Sequence, residues 1–301
     1  MASGYGNPVV MHFNRSAKPL PDRRQDSRAS GRADRSAHQR LHPPRLEAGP
    51  PGLILEYDLD AAQSADGAER SAEPVCSSVL CGIDRSANAR AARDQAKLLA
   101  SPGGTVELVP APELTHHGHR ALNDRCEGHD LLVLGASDAA RAAVEHTSIP
   151  ILIARWSPFG VELTDTVLVP VDDSPGSRRA VELAGRVASV HGGTVNIMAA
   201  PPRDPAFQRV IAATSRILLG TTGAAPRRFN EQLPPERAIP SAAAALPTSL
   251  LVLGAGSSET ARRMTTHIVD CVGCSVLVVP ASGTIARAEE GRAPPNRTHD
   301  P

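Results

Sequence analysis

The chain repeats itself. Val79-Leu80-Cys81-Gly82-Ile83-Asp84-Arg85-Ser86 returns as Val167-Leu168-Val169-Pro170-Val171-Asp172-Asp173-Ser174. Gly103-Gly104-Thr105-Val106 returns as Gly192-Gly193-Thr194-Val195, and Leu131-Leu132-Val133-Leu134-Gly135-Ala136 returns letter for letter as Leu250-Leu251-Val252-Leu253-Gly254-Ala255. Three blocks in the same order, each an apolar run followed by small residues, predict a duplicated α/β unit. Continuous apolar runs suit strands buried on both faces. Helical segments between them suit right-handed crossovers in a parallel sheet. A length of 301 residues fits two such units, since domains typically run about 100–150 residues.

The second copy, residues 163–281, is the fuller one. Thr166–Val171 reads as its first strand. Ser174 and Pro175 then supply an N-cap and a first-turn proline. Ala180, Val181, Ala184, Val187 and Ala188 share one helical face, and Gly192-Gly193 ends that helix. Thr194–Ala199 is the second strand, and Asp204-Pro205 opens another helix. A third strand falls near 227–229, and Pro235–Ala245 reads as a short helix. Residues 249–253, 258–269 and 275–279 give strand, helix and last strand.

The first copy, residues 75–157, is reduced. The offset between copies is 88 residues at the first strand and 119 at Gly135/Gly254. Roughly 30 residues are therefore missing between the second and fourth strands, leaving room for about one helix. Residues 1–74 differ in kind. Their first 50 carry nine Lys/Arg against four Asp/Glu, with Leu53-Ile54-Leu55 the one hint of a strand. They read as a disordered basic tail, and residues 282–301 as a second tail.

Composition excludes several classes. Lys plus Arg equals Asp plus Glu, at 32 each, and aromatics are 2%. Neither an electrostatic footprint nor a stacking surface for nucleic acid follows. No apolar run approaches the roughly 20 residues of a membrane span, and no export signal is visible, so a cytoplasmic protein is expected. Five cysteines without an export signal argue against a disulfide framework.

In an open parallel sheet, ligands sit beyond the carboxyl ends of strands where the winding reverses. Two segments meet there if the first strand is central. One is Asp172-Asp173-Ser174. The other is Gly254-Ala255-Gly256-Ser257-Ser258. Small residues and a helix N-terminus suit an anion, and Asp172 suits a ribose or adenine group. Equally, Asp and Ser cap helices, and Gly fits tight turns. Gly254-x-Gly256-x-x-Glu259 lacks the third glycine of a dinucleotide fingerprint, and no Walker lysine is present.

These residues carry a resemblance. Val169-Pro170-Val171-Asp172-Asp173-Ser174-Pro175-Gly176-Ser177, Leu251-Val252-Leu253-Gly254 and Cys274-Ser275-Val276-Leu277-Val278-Val279 resemble the universal stress protein family, in its tandem members. The resemblance implies two open parallel sheets of order 3-2-1-4-5 paired through their last strands, around 151–155 and 276–279, with a second chain as a further partner. It also implies ATP as a ligand, held by the aspartate after strand one and a glycine pattern after strand four. Asp172 and Gly254 match that pattern. Gly256 sits one place early, and Arg262-Arg263 stand where the family has Gly-Ser. In the first copy Asp84 and Gly135 survive, and Asp138 adds a repelling charge. Arg262 is then a candidate phosphate ligand through charge-assisted bonds, or a solvated helix residue.

Two metal-like clusters stand beside this. His267-x3-Cys271-x2-Cys274 has zinc or redox spacing, and His116-His117-x-His119 lies in the shortened crossover. The leading expectation is a stress-response regulatory protein acting through protein partners, with ATP binding lost or weakened and no dedicated catalysis. One alternative is an ATP-binding regulator or weak ATPase using Asp172, Asp173, Ser174, Gly254, Gly256, Ser257 and Arg262. The other is a thiol or metal sensor through Cys271 and Cys274.

Overall fold

The computed structural model describes residues 9–12, 54–56, 75–115, 118–157, 162–199, 205–230 and 233–281. The tails expected at 1–74 and 282–301 lie outside these residues, apart from two strands, β1 (Val9–His12) and β2 (Ile54–Glu56). The first copy then runs β3 (Cys76–Ile83), α1 (Ala87–Leu99), β4 (Ala100–Pro110), α2 (Ala111–Thr115), α3 (Gly118–Cys126), β5 (Leu131–Gly135), α4 (Asp138–His146) and β6 (Ile151–Ala154). The second runs β7 (Thr166–Val171), α5 (Pro175–His191), β8 (Thr194–Ala199), α6 (Pro205–Thr222), β9 (Arg227–Asn230), α7 (Pro235–Ala245), β10 (Leu250–Ala255), α8 (Glu259–Cys271) and β11 (Ser275–Pro280).

All these strands form one sheet, in the order β1-β4-β3-β5-β6-β11-β10-β7-β8-β9-β2. The second copy is β9-β8-β7-β10-β11, all parallel, which is order 3-2-1-4-5. The first is β4-β3-β5-β6, the same order without its third strand. Only three joints are antiparallel: β1 on β4, β2 on β9, and β6 on β11. The hint of a strand at Leu53-Ile54-Leu55 corresponds to β2, which covers the β9 edge. β1 had no signal in the sequence.

Helices cover both faces, so the inner strands β5, β6, β7, β10 and β11 are largely buried on both sides. Val167, Val169 and Val171 pack with Ala180, Val181 and Ala184 of α5 on one face. Leu168, Leu251 and Val276 pack with Ile239 of α7 and Ile268 of α8 on the other. Serine N-caps recur in both copies. Ser86 and Ser174 start α1 and α5, while Ser137 and Ser258 start α4 and α8, each side chain accepting from a first-turn N–H. Gly192 closes α5 at φ 72°, a left-handed conformation natural to glycine.

The copies diverge where their sequences do. Ala188-Ser189 is helical in α5, whereas the matching Ala100-Ser101 is already strand. Pro102 explains this, because the residue before a proline is pushed out of the α region. The shortened crossover holds two short helices, α2 and α3, rather than the single one expected. No helix of the described residues is long and apolar enough to cross a membrane.

The joint between copies is tied by side chains as well as by β6 and β11. The Arg155 N–H donates to Ser275 Oγ at 3.0 Å, and Ser275 Oγ donates to Gln95 Oε1 at 3.0 Å. Gln95 Nε2 donates back to the Arg155 carbonyl at 3.3 Å. Arg155 Nη2 reaches the Val269 carbonyl at 2.6 Å, and Arg141 of α4 pairs with Asp270 of α8 at 3.0 Å.

Candidate functional site

A cavity of about 90 Å³ opens at the carboxyl ends of β7, β8 and β10, beneath α7 and α8. The strands contribute Pro170, Val171, Met198, Leu253 and Gly254. Pro235 and Ile239 of α7 and Met264, Thr265 and Ile268 of α8 close it, while Asp172 and Ser177 stand at the turn into α5. The lining is mostly apolar because this is where the α7/α8 core reaches the surface. Met198, Ile239, Met264 and Ile268 were not singled out from sequence, since their apolar spacing is indistinguishable from ordinary core.

The polar groups here bond to one another. Asp172 Oδ1 accepts from the Ser174 N–H at 2.9 Å. Ser174 Oγ accepts from the Ser177 N–H at 3.1 Å, and Ser177 Oγ accepts from the Asp172 N–H at 3.0 Å. Thr265 Oγ1 donates to the Ala261 carbonyl at 3.0 Å. The first copy builds the same turn. The Ser86 N–H donates to Asp84 Oδ1 at 2.7 Å, and hydrogen bonds from the Ser86 side chain and backbone hold the Asp84 carboxyl below its usual range.

Of the seven candidate residues, Asp172 and Gly254 line the cavity together. Asp173 points away, in an exposed pair with Arg178 at 2.8 Å. Ser174 is the α5 cap. Gly254 is a packing residue: a Cβ there would run into the Gly176 backbone and the Ser177 nitrogen. Reciprocally, a Cβ on Gly176 would lie 2.6 Å from the Ala255 oxygen. Gly135 meets Asn88 and Ala89 at the start of α1 in the same way, so both copies need glycine where strand passes helix. Gly256 lies against Ala261. Exposed Arg262 turns back, its Nη2 donating to the Ser257 carbonyl at 3.0 Å, and Arg263 pairs with Glu259.

A second polar cluster lies at the amino ends of the first copy's strands. Ser78 Oγ is 2.8 Å from His129 Nδ1, and His129 Nε2 is 3.4 Å from Glu107 Oε2. Arg125 pairs with Glu107 at 3.4 Å. Asp130 Oδ2 accepts from the Ser77 and Ser78 N–H groups. No sequence pattern announced this group, because its members are spread over 53 residues. The matching positions in the second copy are Thr166, Asn196 and Thr248. Asn196 Oδ1 and Thr248 Oγ1 are buried there without a partner among the described residues.

Burial holds His129 below its usual pKa, against the opposing pull of Glu107. The fold therefore favours the neutral ring, and the unfolded chain takes up the proton first as pH falls. Stability is expected to fall as pH drops below about 6.5, the unfolded value, and to keep falling until the folded ring also protonates. Urea midpoints at about pH 7.5 and about pH 5.5 measure this, and His129→Gln should flatten the slope. An unchanged slope in the variant would discount His129.

The thiols are unequal. Burial pushes Cys76 and Cys81 up to about 12, and Cys126 and Cys274 up to about 11. Cys271 is exposed, with its sulfur 3.6 Å from His267 Nε2. A thiol-reactive disulfide reagent should titrate one fast thiol in the native chain and five after unfolding, with Cys271→Ser removing the fast one. Two fast thiols would restore Cys274 to a sensing role. Among the described residues, no group of three His, Cys, Asp or Glu is placed to hold a metal. His116 and His117 lie outside those residues.

No protein-family model and no curated protein matches this chain. Solved structures do. A universal stress protein from Archaeoglobus fulgidus DSM 4304 is 17% identical, covering 68% of this chain and 96% of its own, at a TM-score of 0.53. Universal stress protein UspA from Lactobacillus plantarum is 21% identical, over 40% of this chain and 99% of its own, at a TM-score of 0.33. The five parallel strands in order 3-2-1-4-5, the reduced first copy and the first of these superpositions agree: this chain has the universal stress protein fold.

Proposed function

We propose that this chain is a stress-response regulatory protein that acts through protein partners and does not use ATP. The observation that carries the reading is the turn after β10, which is closed from within. Gly254 is packed against Gly176 and Ser177, and the Arg262 guanidinium rests on its own Ser257 carbonyl. The residues present do not fit a triphosphate. The cavity of about 90 Å³ is well below the roughly 300–1,000 Å³ typical of ligand pockets.

A partner has an anchor available. Trp156, the one tryptophan of the chain, is 58% exposed just beyond β6. Exposed aromatic anchors carry much of the energy of protein interfaces. A photo-crosslinking residue at 156 is expected to trap a partner protein in cells, and trapping none would count against this surface.

The ATP half of the reading is tested by calorimetric titration of ATP–Mg into the full chain. No saturable heat is expected at millimolar ATP. Micromolar binding lost in Asp172→Ala would overturn the reading and make this an ATP-gated regulator.

A further inference from the structure

We infer that the cavity beside Asp172 is a site for a small aliphatic ammonium compound. The inference rests on the reading that ATP is not its ligand. Two features define the ligand. The interior is apolar, formed by Val171, Met198, Ile239, Leu253, Met264 and Ile268. Its two hydroxyls are engaged with the backbone: Ser177 Oγ accepts from the Asp172 N–H, and Thr265 Oγ1 donates to its own helix. A lining of this kind favours an apolar guest. The body of the ligand is therefore hydrocarbon. An engineered cavity of about 150 Å³ holds benzene, so about 90 Å³ takes a body of roughly four carbons.

The mouth sets the charge. Asp172 contributes a carboxylate that enters no ion pair among the described residues. The nearby cations are engaged elsewhere: Arg178 with Asp173, Arg179 with the Pro280 carbonyl, Arg262 with the Ser257 carbonyl, and Arg263 with Glu259. Oδ1 accepts from the Ser174 N–H, which holds the exposed carboxylate at the rim of the cavity. A carboxylate fixed at an apolar mouth, without a cationic partner, selects a cationic head and repels phosphate and carboxylate heads. A primary ammonium carries three donors on a compact charge, matching one carboxylate better than a planar guanidinium would.

The test is titration of the full chain with n-butylammonium chloride, followed by NMR shifts of the Met198 and Met264 methyl groups. Butyrate and methylammonium serve as controls for body and head alone. Saturable millimolar binding of butylammonium is expected, with neither control binding comparably. Asp172→Asn keeps the Oδ1 acceptor and removes the charge, and should weaken binding about tenfold. Ile239→Phe should abolish binding by filling the cavity. Because overpacking can disturb the fold, the surface substitution at Asp172 decides the matter. The inference is overturned if butylammonium does not saturate, if butyrate binds as well, or if Asp172→Asn leaves affinity unchanged. Those outcomes leave the partner-based reading standing. Micromolar ATP–Mg binding in the same protein overturns both.

Discussion

Gly254→Ala should destabilise the chain by about 2–4 kcal/mol, although it adds a single methyl group. The new Cβ would enter the Gly176 backbone and the Ser177 nitrogen at the start of α5. That neighbour is backbone, so no side chain can swing away. Either β10 or the α5 N-terminus must shift, and the shift opens the Asp172–Ser174–Ser177 hydrogen-bond ring. The measurement is a urea midpoint, with the slope unchanged if only stability is altered. Gly273→Ala is the control: nothing lies within 4 Å of the place its Cβ would take. A loss at Gly254 no larger than at Gly273 would show that Gly254 is a loop residue after all.

The second large effect is at the joint between copies. Leu277→Ala should cost about 2–5 kcal/mol. Leu277 is 1% exposed and stands opposite Leu152, which is 0% exposed, across the β6/β11 pair. The two belong to one continuous core that takes in α1 and α5. For a structured region of this size, each kcal/mol lowers the melting temperature by about 2–4 °C. Because the core runs through the joint, the wild type should melt in one calorimetric transition. Leu277→Ala should begin to separate the halves. Two transitions already present in the wild type would mean that β6 and β11 contribute little coupling.

Much of this was readable beforehand, and the reasons differ from element to element. Thr166–Val171 and Pro235–Ala245 coincide with the strand and helix expected at those bounds. Their signals are local: a run rich in β-branched residues in one, and a proline pair followed by alanines in the other. α1 ends at Leu99, earlier than its counterpart α5, because Pro102 holds the preceding backbone out of the helical region. β1 escaped notice because edge pairing depends on β4 being left open, which is a property of the assembled sheet.

At the cavity, the position of Asp172 was legible because the turn after a first strand lies at the carboxyl end of the sheet. The role of Gly254 was not, since a glycine that lets a helix approach and one that lets a ligand approach look the same in one dimension. The Ser78–Glu107–His129 group was invisible for a related reason. Its members come from β3, β4 and the loop before β5, and only the parallel crossovers bring them together.

The antiparallel joint of β6 with β11 has a consequence for abundance. Two separate chains pairing through such strands would come apart on dilution, and their pairing would track how much protein a cell makes. Here the partners are covalently connected, so their association is governed by tether length rather than by expression level. The paired arrangement should be as complete in a cell holding few copies as in one holding many. A protein built this way cannot use dilution to separate its two halves.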